Sequence, residues 1–222
     1  MYMPPAQSNT PTVYVVDDDQ PLRNSLVGLI NAMEFSAQGF ASAAGFHRFY
    51  RRDLPGCLVL DVRMPGQGGL ELYEQLLHER KRLPVIFITA HADVPTAVAA
   101  MKTGAVEFLE KPFDREALRT HLQKGLALDA EWRRHEAEFN AVDERIARLN
   151  ERDLETLQLI LAGASNKVMA ARLFISERAV EMRRAAIMRK VEVRSLAELL
   201  ELAITHRLAA EVAAVRSHPR LN

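Results

Sequence analysis

The stretch VYVVDDDQP, residues 13–21, sets three carboxylates directly after four apolar residues and just before a proline. Like charges at adjacent positions repel, so Asp17, Asp18 and Asp19 raise the question of what offsets that repulsion. One answer is local: acidic residues start helices well, because the positive end of the helix dipole favours them, and Pro21 fits a first helical turn. The other is that something positive sits there, and it depends on what the fold brings alongside.

Working outward, residues 13 to about 127 alternate short apolar runs with helical patterns. VYVV, CLVL, PVIFIT and VEFLE are strand-like, with a weaker strand near FSAQGF; QPLRNSLVGLINAM and GGLELYEQLLHER repeat at helical spacing. Continuous apolar strands separated by helices indicate a parallel sheet covered on both faces, a doubly wound α/β domain. In such sheets the ligand site lies in the crevice beyond the carboxyl ends of the strands. The residues that follow the apolar runs are Asp17, Asp18, Asp61, Thr89 and Lys111. Carboxylates converging with a hydroxyl and an ammonium suit a hard divalent cation, which prefers oxygen ligands, so Mg²⁺ is the expected answer to the opening question.

Composition fits this reading. The 222 residues, 48% hydrophobic and 26% charged, suit two modest globular domains. The start MYMPPAQSNTPT reads as a flexible polar tail and not as a signal peptide, and no run approaches membrane-spanning length, so a cytoplasmic location without membrane contact is expected. One cysteine, Cys57, excludes an intramolecular disulfide framework or a Cys-rich zinc site, and its apolar setting predicts a buried thiol. The overall net charge is zero, but from Asn150 onward 12 Lys and Arg face 9 Asp and Glu, against 17 and 20 before it. A net +3 tail on a net −3 partner points weakly to nucleic acid.

The ordered pieces VVDDD, LVLDVRMPGQGGLEL, ITAHAD and FLEKPF resemble the receiver domain of two-component response regulators, over the whole first half. The resemblance implies a flavodoxin-like five-stranded parallel sheet in which Asp61 accepts a phosphoryl group from a sensor histidine kinase. Asp18, Asp61 and the backbone carbonyl of Arg63 would bind Mg²⁺, with Asp17 doing so mainly through water. Thr89 and Lys111 would contact the phosphoryl oxygens, and a cis bond between Lys111 and Pro112 would aim the ammonium into the crevice. Phe108 would turn inward as Thr89 moves, although a lone aromatic in a strand is usually core. His91 and Asp93 stay unassigned loop residues.

Beyond Asp114 the helical pattern continues. Trp132, His135, Phe139, Val142, Ile146 and Leu149 form a short heptad seam that could pair two chains or lean on the chain's own domains. After it, AGASNKVMAARL, ISERAVE and IMRKVEVRSLAEL resemble the LuxR-type helix-turn-helix of the FixJ and NarL branches, implying an all-α four-helix DNA-binding domain. The expected organisation is a tail at 1–12, a receiver at 13–128, a helical linker at 129–149 and the helix-turn-helix domain at 150–222.

Ser165 and Ser176 are placed to cap the scaffold and recognition helices. Val180, Ile187 and Val191 mark the buried stripe of the recognition helix; Arg178, Met182, Ala185 and Arg189 fall opposite, with Glu181 and Arg183 on the flanks, facing a major groove. Lys167, Arg183 and Arg184 are expected to meet phosphates, Arg184 with its stem on the core. Phe174 occupies the turn that usually carries glycine, where a positive φ would be costly. The Ala/Leu-rich helix from Ser195 would, by the resemblance, pair two DNA-binding domains.

The whole reads as a phosphorylation-controlled transcriptional regulator. Its partners are a histidine kinase, double-stranded DNA, a second copy on phosphorylation or on DNA, and RNA polymerase. An atypical regulator switched by a ligand or partner without phosphorylation is the main rival, and intact Asp18, Asp61, Thr89 and Lys111 speak against it. An aspartyl-phosphate phosphatase would need an acid two residues after the nucleophile, where Arg63 stands. The chain is therefore not expected to be an enzyme beyond phosphoryl acceptance and slow self-dephosphorylation.

Overall fold

The computed structural model describes residues 10–90 and 94–216; His91 and Asp93 lie outside them. The chain forms two compact units that divide between Arg133 and Arg134. In the first, five strands alternate with helices: β1 (Thr12–Val16), α1 (Gln20–Asn31), β2 (Ser36–Phe40), α2 (Ala43–Phe49), β3 (Gly56–Asp61), α3 (Gly69–His78), β4 (Val85–Thr89), α4 (Val94–Lys102) and β5 (Glu107–Glu110). The long helix α5 (Arg115–Ile146) begins here. All four strand pairings are parallel, in the order β2-β1-β3-β4-β5.

Strand side chains point alternately to the two faces. Tyr14, Val16, Leu58, Leu60, Val85 and Phe87 pack with Phe46, Leu72, Leu76 and Ala100 of α2, α3 and α4. Val13, Val15, Cys57, Val59, Ile86 and Ile88 pack with Leu26 and Ile30 of α1 and Leu118 and Leu122 of α5. The inner strands are apolar throughout because both faces are covered. Cys57 is fully buried, as its setting predicts, and burial pushes its thiol far up. Helix α5 approaches it at Gly125, where an added Cβ would lie 2.6 Å from Cys57 Sγ.

At the amino-terminal edge of the sheet, α5 is clamped by a buried carboxylate. Asp129 Oδ2 accepts from the Gly56 amide (2.9 Å) and from Arg133 Nε (2.7 Å). Arg133 in turn donates to the carbonyls of Arg52 and Leu54, and Arg82 lies 3.5 Å over the Trp132 ring.

The second unit holds the end of α5 and then α6 (Glu151–Leu161), α7 (Asn166–Leu173), α8 (Glu177–Lys190) and α9 (Leu196–Arg216). Leu149, Leu157, Ile160, Met169, Val180, Ile187, Val191 and Leu199 form its core. Side chains cap α6, α7, α8 and α9: Asn150, Ser165, Ser176 and Ser195 accept from the amides of Asp153, Val168, Ala179 and Glu198. The end of α8 is capped from outside, by Arg145 donating to the carbonyls of Val191 (2.6 Å) and Glu192 (3.0 Å). The seam read along residues 132–149 is used at both ends by the chain's own units. Trp132 belongs to the first; in the second, Phe139 stacks on His206 (5.7 Å, 3°) and Leu149 is buried. His135 is exposed.

The Asp129 clamp carries a stability prediction. Asp129→Ala leaves the Gly56 amide and Arg133 Nε without their acceptor and the guanidinium without its counter-charge, which should cost the first unit about 2–4 kcal/mol. Trp132, the only tryptophan, reports that unit's urea unfolding; an unchanged midpoint would contradict the clamp.

Candidate functional site

The strand order turns outward on either side of β1 and β3, so the crevice opens beyond their carboxyl ends. The residues expected there converge. Asp17 follows β1 and is fully buried, Asp18 is exposed, and Asp61 ends β3 with its side chain 12% exposed. Carboxylate oxygens of all three lie within 4.8 Å of one another. Lys111, directly after β5, reaches back to donate to Asp17 Oδ2 at 2.9 Å and Asp61 Oδ2 at 3.0 Å. The Lys111–Pro112 peptide is cis, as the resemblance implies.

The three adjacent aspartates thus divide between the two readings. Asp19 is the N-cap of α1, accepting from the Leu22 amide at 3.0 Å, with Pro21 in the first turn. Asp17 accepts the Asp19 amide at 2.9 Å, which turns the chain from strand to helix. Only Asp17 and Asp18 join the cluster.

Among the described residues the charges do not balance: three carboxylates face one ammonium. Burial pushes the Asp61 carboxyl above its ordinary range; Lys111 and the Arg63 amide, which donates to Asp61 Oδ1 at 3.3 Å, pull the other way without reversing it. Burial works against the Lys111 ammonium, but its bonds to Asp17 and Asp61 outweigh this and hold it above its ordinary value. Crowded, partly desolvated oxygen donors fit a hard divalent cation.

Thr89 ends β4, 1% exposed, one residue beyond Ile88, which pairs in register with Asp61 of the neighbouring strand. Phe108 pairs in register with Phe87 and packs against the α2, α3 and α4 face of the core. Gly69 was not singled out by the sequence, yet it matters here. A Cβ on it would meet the Asp61 carbonyl at 2.1 Å, and its amide donates to the Val62 carbonyl at 3.0 Å. Only glycine lets α3 start this close to the end of β3. The doublet Gly68-Gly69 after Asp61 was the available signal.

In the second unit, α7 and α8 form a helix-turn-helix. Phe174 holds the turn with φ 55° and ψ 43°, the left-handed conformation that glycine takes without cost, and its side chain is 94% exposed. The turn has kept its shape around the aromatic. On α8, Arg178, Glu181 and Arg189 are exposed and Met182 is 67% exposed, opposite buried Val180 and Ile187. Lys167 is exposed on α7. Arg184 is half-buried, as its place near the stripe suggests, and donates to Asn166 Oδ1 at 2.8 Å. Arg183, expected on the open flank, is also half-buried and leans on α6, with Nη1 3.4 Å from Thr156 Oγ1.

Comparison with known proteins places each unit in a family. Residues 13–123 match the response regulator receiver domain, and residues 147–203 match the bacterial regulatory proteins of the luxR family. The transcriptional regulatory protein FixJ of Azorhizobium caulinodans is 42% identical over 195 residues, 86% of this chain and 91% of that protein. The response regulator protein TodT of Pseudomonas putida is 37% identical over 196 residues, 88% of this chain and 86% of that protein. Among solved structures, the response regulator StyR superposes with a TM-score of 0.81 at 43% identity, covering 88% of this chain and 99% of that one. Full-length FixJ from B. japonicum gives 0.53 at 36% identity, over 89% and 98%. One family model covers the first unit and the other the second, the relatives match along most of their length, and the chain belongs to the response regulators that join a receiver domain to a LuxR-type DNA-binding domain.

Proposed function

We propose that Asp61 is the phosphoryl acceptor of this regulator, that a sensor histidine kinase is the donor, and that phosphorylation changes dimerisation and DNA binding. The observation that carries this reading is Lys111 Nζ within 3.0 Å of the Asp61 carboxylate, at the open end of β3. Asp17, Asp18, Asp61 and the backbone carbonyl of Arg63 would hold Mg²⁺. When bound, the cation neutralises charge on the transferring phosphoryl group. Asp61 attacks phosphorus, the bond to the kinase histidine breaks, and the electron pair leaves with the imidazole. Lys111 then exchanges a carboxylate contact for phosphoryl oxygens, and the Thr89 hydroxyl donates from the neighbouring strand.

The added charge of about −1.5 to −2 draws Thr89 and Lys111 and biases a two-state element that includes Phe108. The face concerned is α4 and β5, where Val98 and Met101 are 46% and 47% exposed. On DNA, α9 offers a second pairing surface, with Ile204 and Leu208 49% and 56% exposed. RNA polymerase is the expected further partner of a DNA-bound dimer. Arg178, Met182 and Arg189, with Glu181 beside them, read the major groove; Lys167, Arg183 and Arg184 meet phosphates, the last two after releasing their present partners.

Incubation with a small phosphoryl donor, followed by intact-mass measurement, should show one phosphoryl group in wild type only with Mg²⁺ and none in Asp61→Asn. Equal labelling of the two proteins would remove Asp61 from its role.

DNA binding should divide by residue. Lys167→Ala should weaken all sequences alike and lower the salt slope by about one. Arg178→Ala should cost about 1–3 kcal/mol and relax one base position. The assignment of the groove face fails if Arg178→Ala keeps the sequence preference while Lys167→Ala alters it.

A further inference from the structure

Arg23 stands in the opening turn of α1, where the positive end of the helix dipole disfavours a cation. Its side chain turns toward the backbone of the acidic loop. Nη1 donates to the Asp17 carbonyl at 2.7 Å and lies 3.4 Å from the Asp18 carbonyl. The stem runs over β2 at Gly39, where an added Cβ would sit 3.1 Å from Arg23 Cγ and 3.2 Å from Cδ. Helix, strand and loop together make a slot for this one side chain.

The other polar groups of Asp17 are bonded elsewhere. Its amide donates to the Phe40 carbonyl (3.2 Å), one carboxylate oxygen accepts the Asp19 amide, and the other accepts Lys111. The Arg23 bond to the carbonyl completes the set, so the peptide between Asp17 and Asp18 is held from behind while both carboxylates point into the crevice. We infer that Arg23 is a positioning residue for the divalent-cation site, clamping the Asp17 and Asp18 carbonyls and never touching the cation. This rests on reading the acidic cluster as the Mg²⁺ site.

Arg23 acts on a bound cation in two opposed ways. Its own charge repels Mg²⁺, so on charge alone Arg23→Gln would tighten binding. Its clamp orders two ligands before the cation arrives, so on positioning Arg23→Gln would weaken it. Positioning dominates, because the guanidinium charge is partly open to solvent and spent on carbonyl dipoles, whereas losing an outer partner of a metal ligand typically costs about 10–100-fold in affinity.

Calorimetric titration of the full chain with Mg²⁺ separates these accounts, with the metal-free thermal midpoint from Trp132 fluorescence as the control for folding. Arg23→Gln should bind about 10-fold more weakly than wild type or worse, and Arg23→Lys, which keeps the charge and one donor, should fall between them. Equal or tighter binding by Arg23→Gln overturns the inference. If the glutamine variant does not fold, Arg23→Lys decides: a several-fold loss supports the clamp, and wild-type affinity overturns it. Absence of Mg²⁺ binding by wild type itself would instead overturn the reading of the cluster.

Discussion

Three carboxylates within 4.8 Å of one another, answered by one ammonium, set the terms for the rest of the first unit. Such an arrangement costs stability unless a cation joins it, and it persists only where the surrounding fold holds the groups in place. Asp17 is fixed by its amide and both carboxylate oxygens, Asp61 by the Arg63 amide and by a strand end that α3 can approach only at Gly69. Lys111 is delivered from the far strand of the same sheet. The repulsion that remains is what makes the crevice responsive: adding Mg²⁺ or a phosphoryl group changes the balance that holds Lys111.

The parallel sheet turns this local imbalance into a site. Parallel strands end at the same edge, so residues separated by 50 to 94 positions in sequence meet there. The opposite edge has the complementary task. There Asp129 and Arg133 tie α5 to the loop before β3, the carboxylate holding the Gly56 amide and the guanidinium holding two loop carbonyls. One edge is built for stability and the other for chemistry.

Much of this was legible in the sequence because apolar strands and the residues that follow them announce both sheet and site. Asp17, Asp61, Thr89 and Lys111 stand where that logic puts them, and Ser165 and Ser176 cap the helices they precede. The side-chain bonds to distant backbone were not legible. No local pattern shows that Arg145 caps α8, that Asp129 holds the Gly56 amide, or that Arg23 serves the acidic loop, since each depends on two elements already packed. Helical-wheel geometry placed Arg178 and Met182 well but could not show that Thr156 of α6 would draw Arg183 inward. Phe174 raised a choice that sequence left open, and the turn kept its left-handed shape. Such a conformation costs a bulky L-residue about 1–2 kcal/mol, here outweighed by the packing of α7 and α8 on either side.

The central claim is that the acidic crevice carries unrelieved repulsion that a cation or neutralisation removes. The measurement is the thermal midpoint of the first unit, followed by Trp132 fluorescence, for wild type and Asp61→Asn. Because burial holds the native Asp61 carboxyl above its ordinary value, ionising it costs stability. That cost appears as pH rises past about 3.9 and is complete above the raised native value. At pH 7 without metal, Asp61→Asn should therefore melt higher than wild type, with the gain vanishing toward pH 4. Mg²⁺ should raise the wild-type midpoint and narrow the gap. A lower midpoint for Asp61→Asn in metal-free buffer at pH 7 would mean that the Lys111 pairing outweighs burial and repulsion, and would contradict the account.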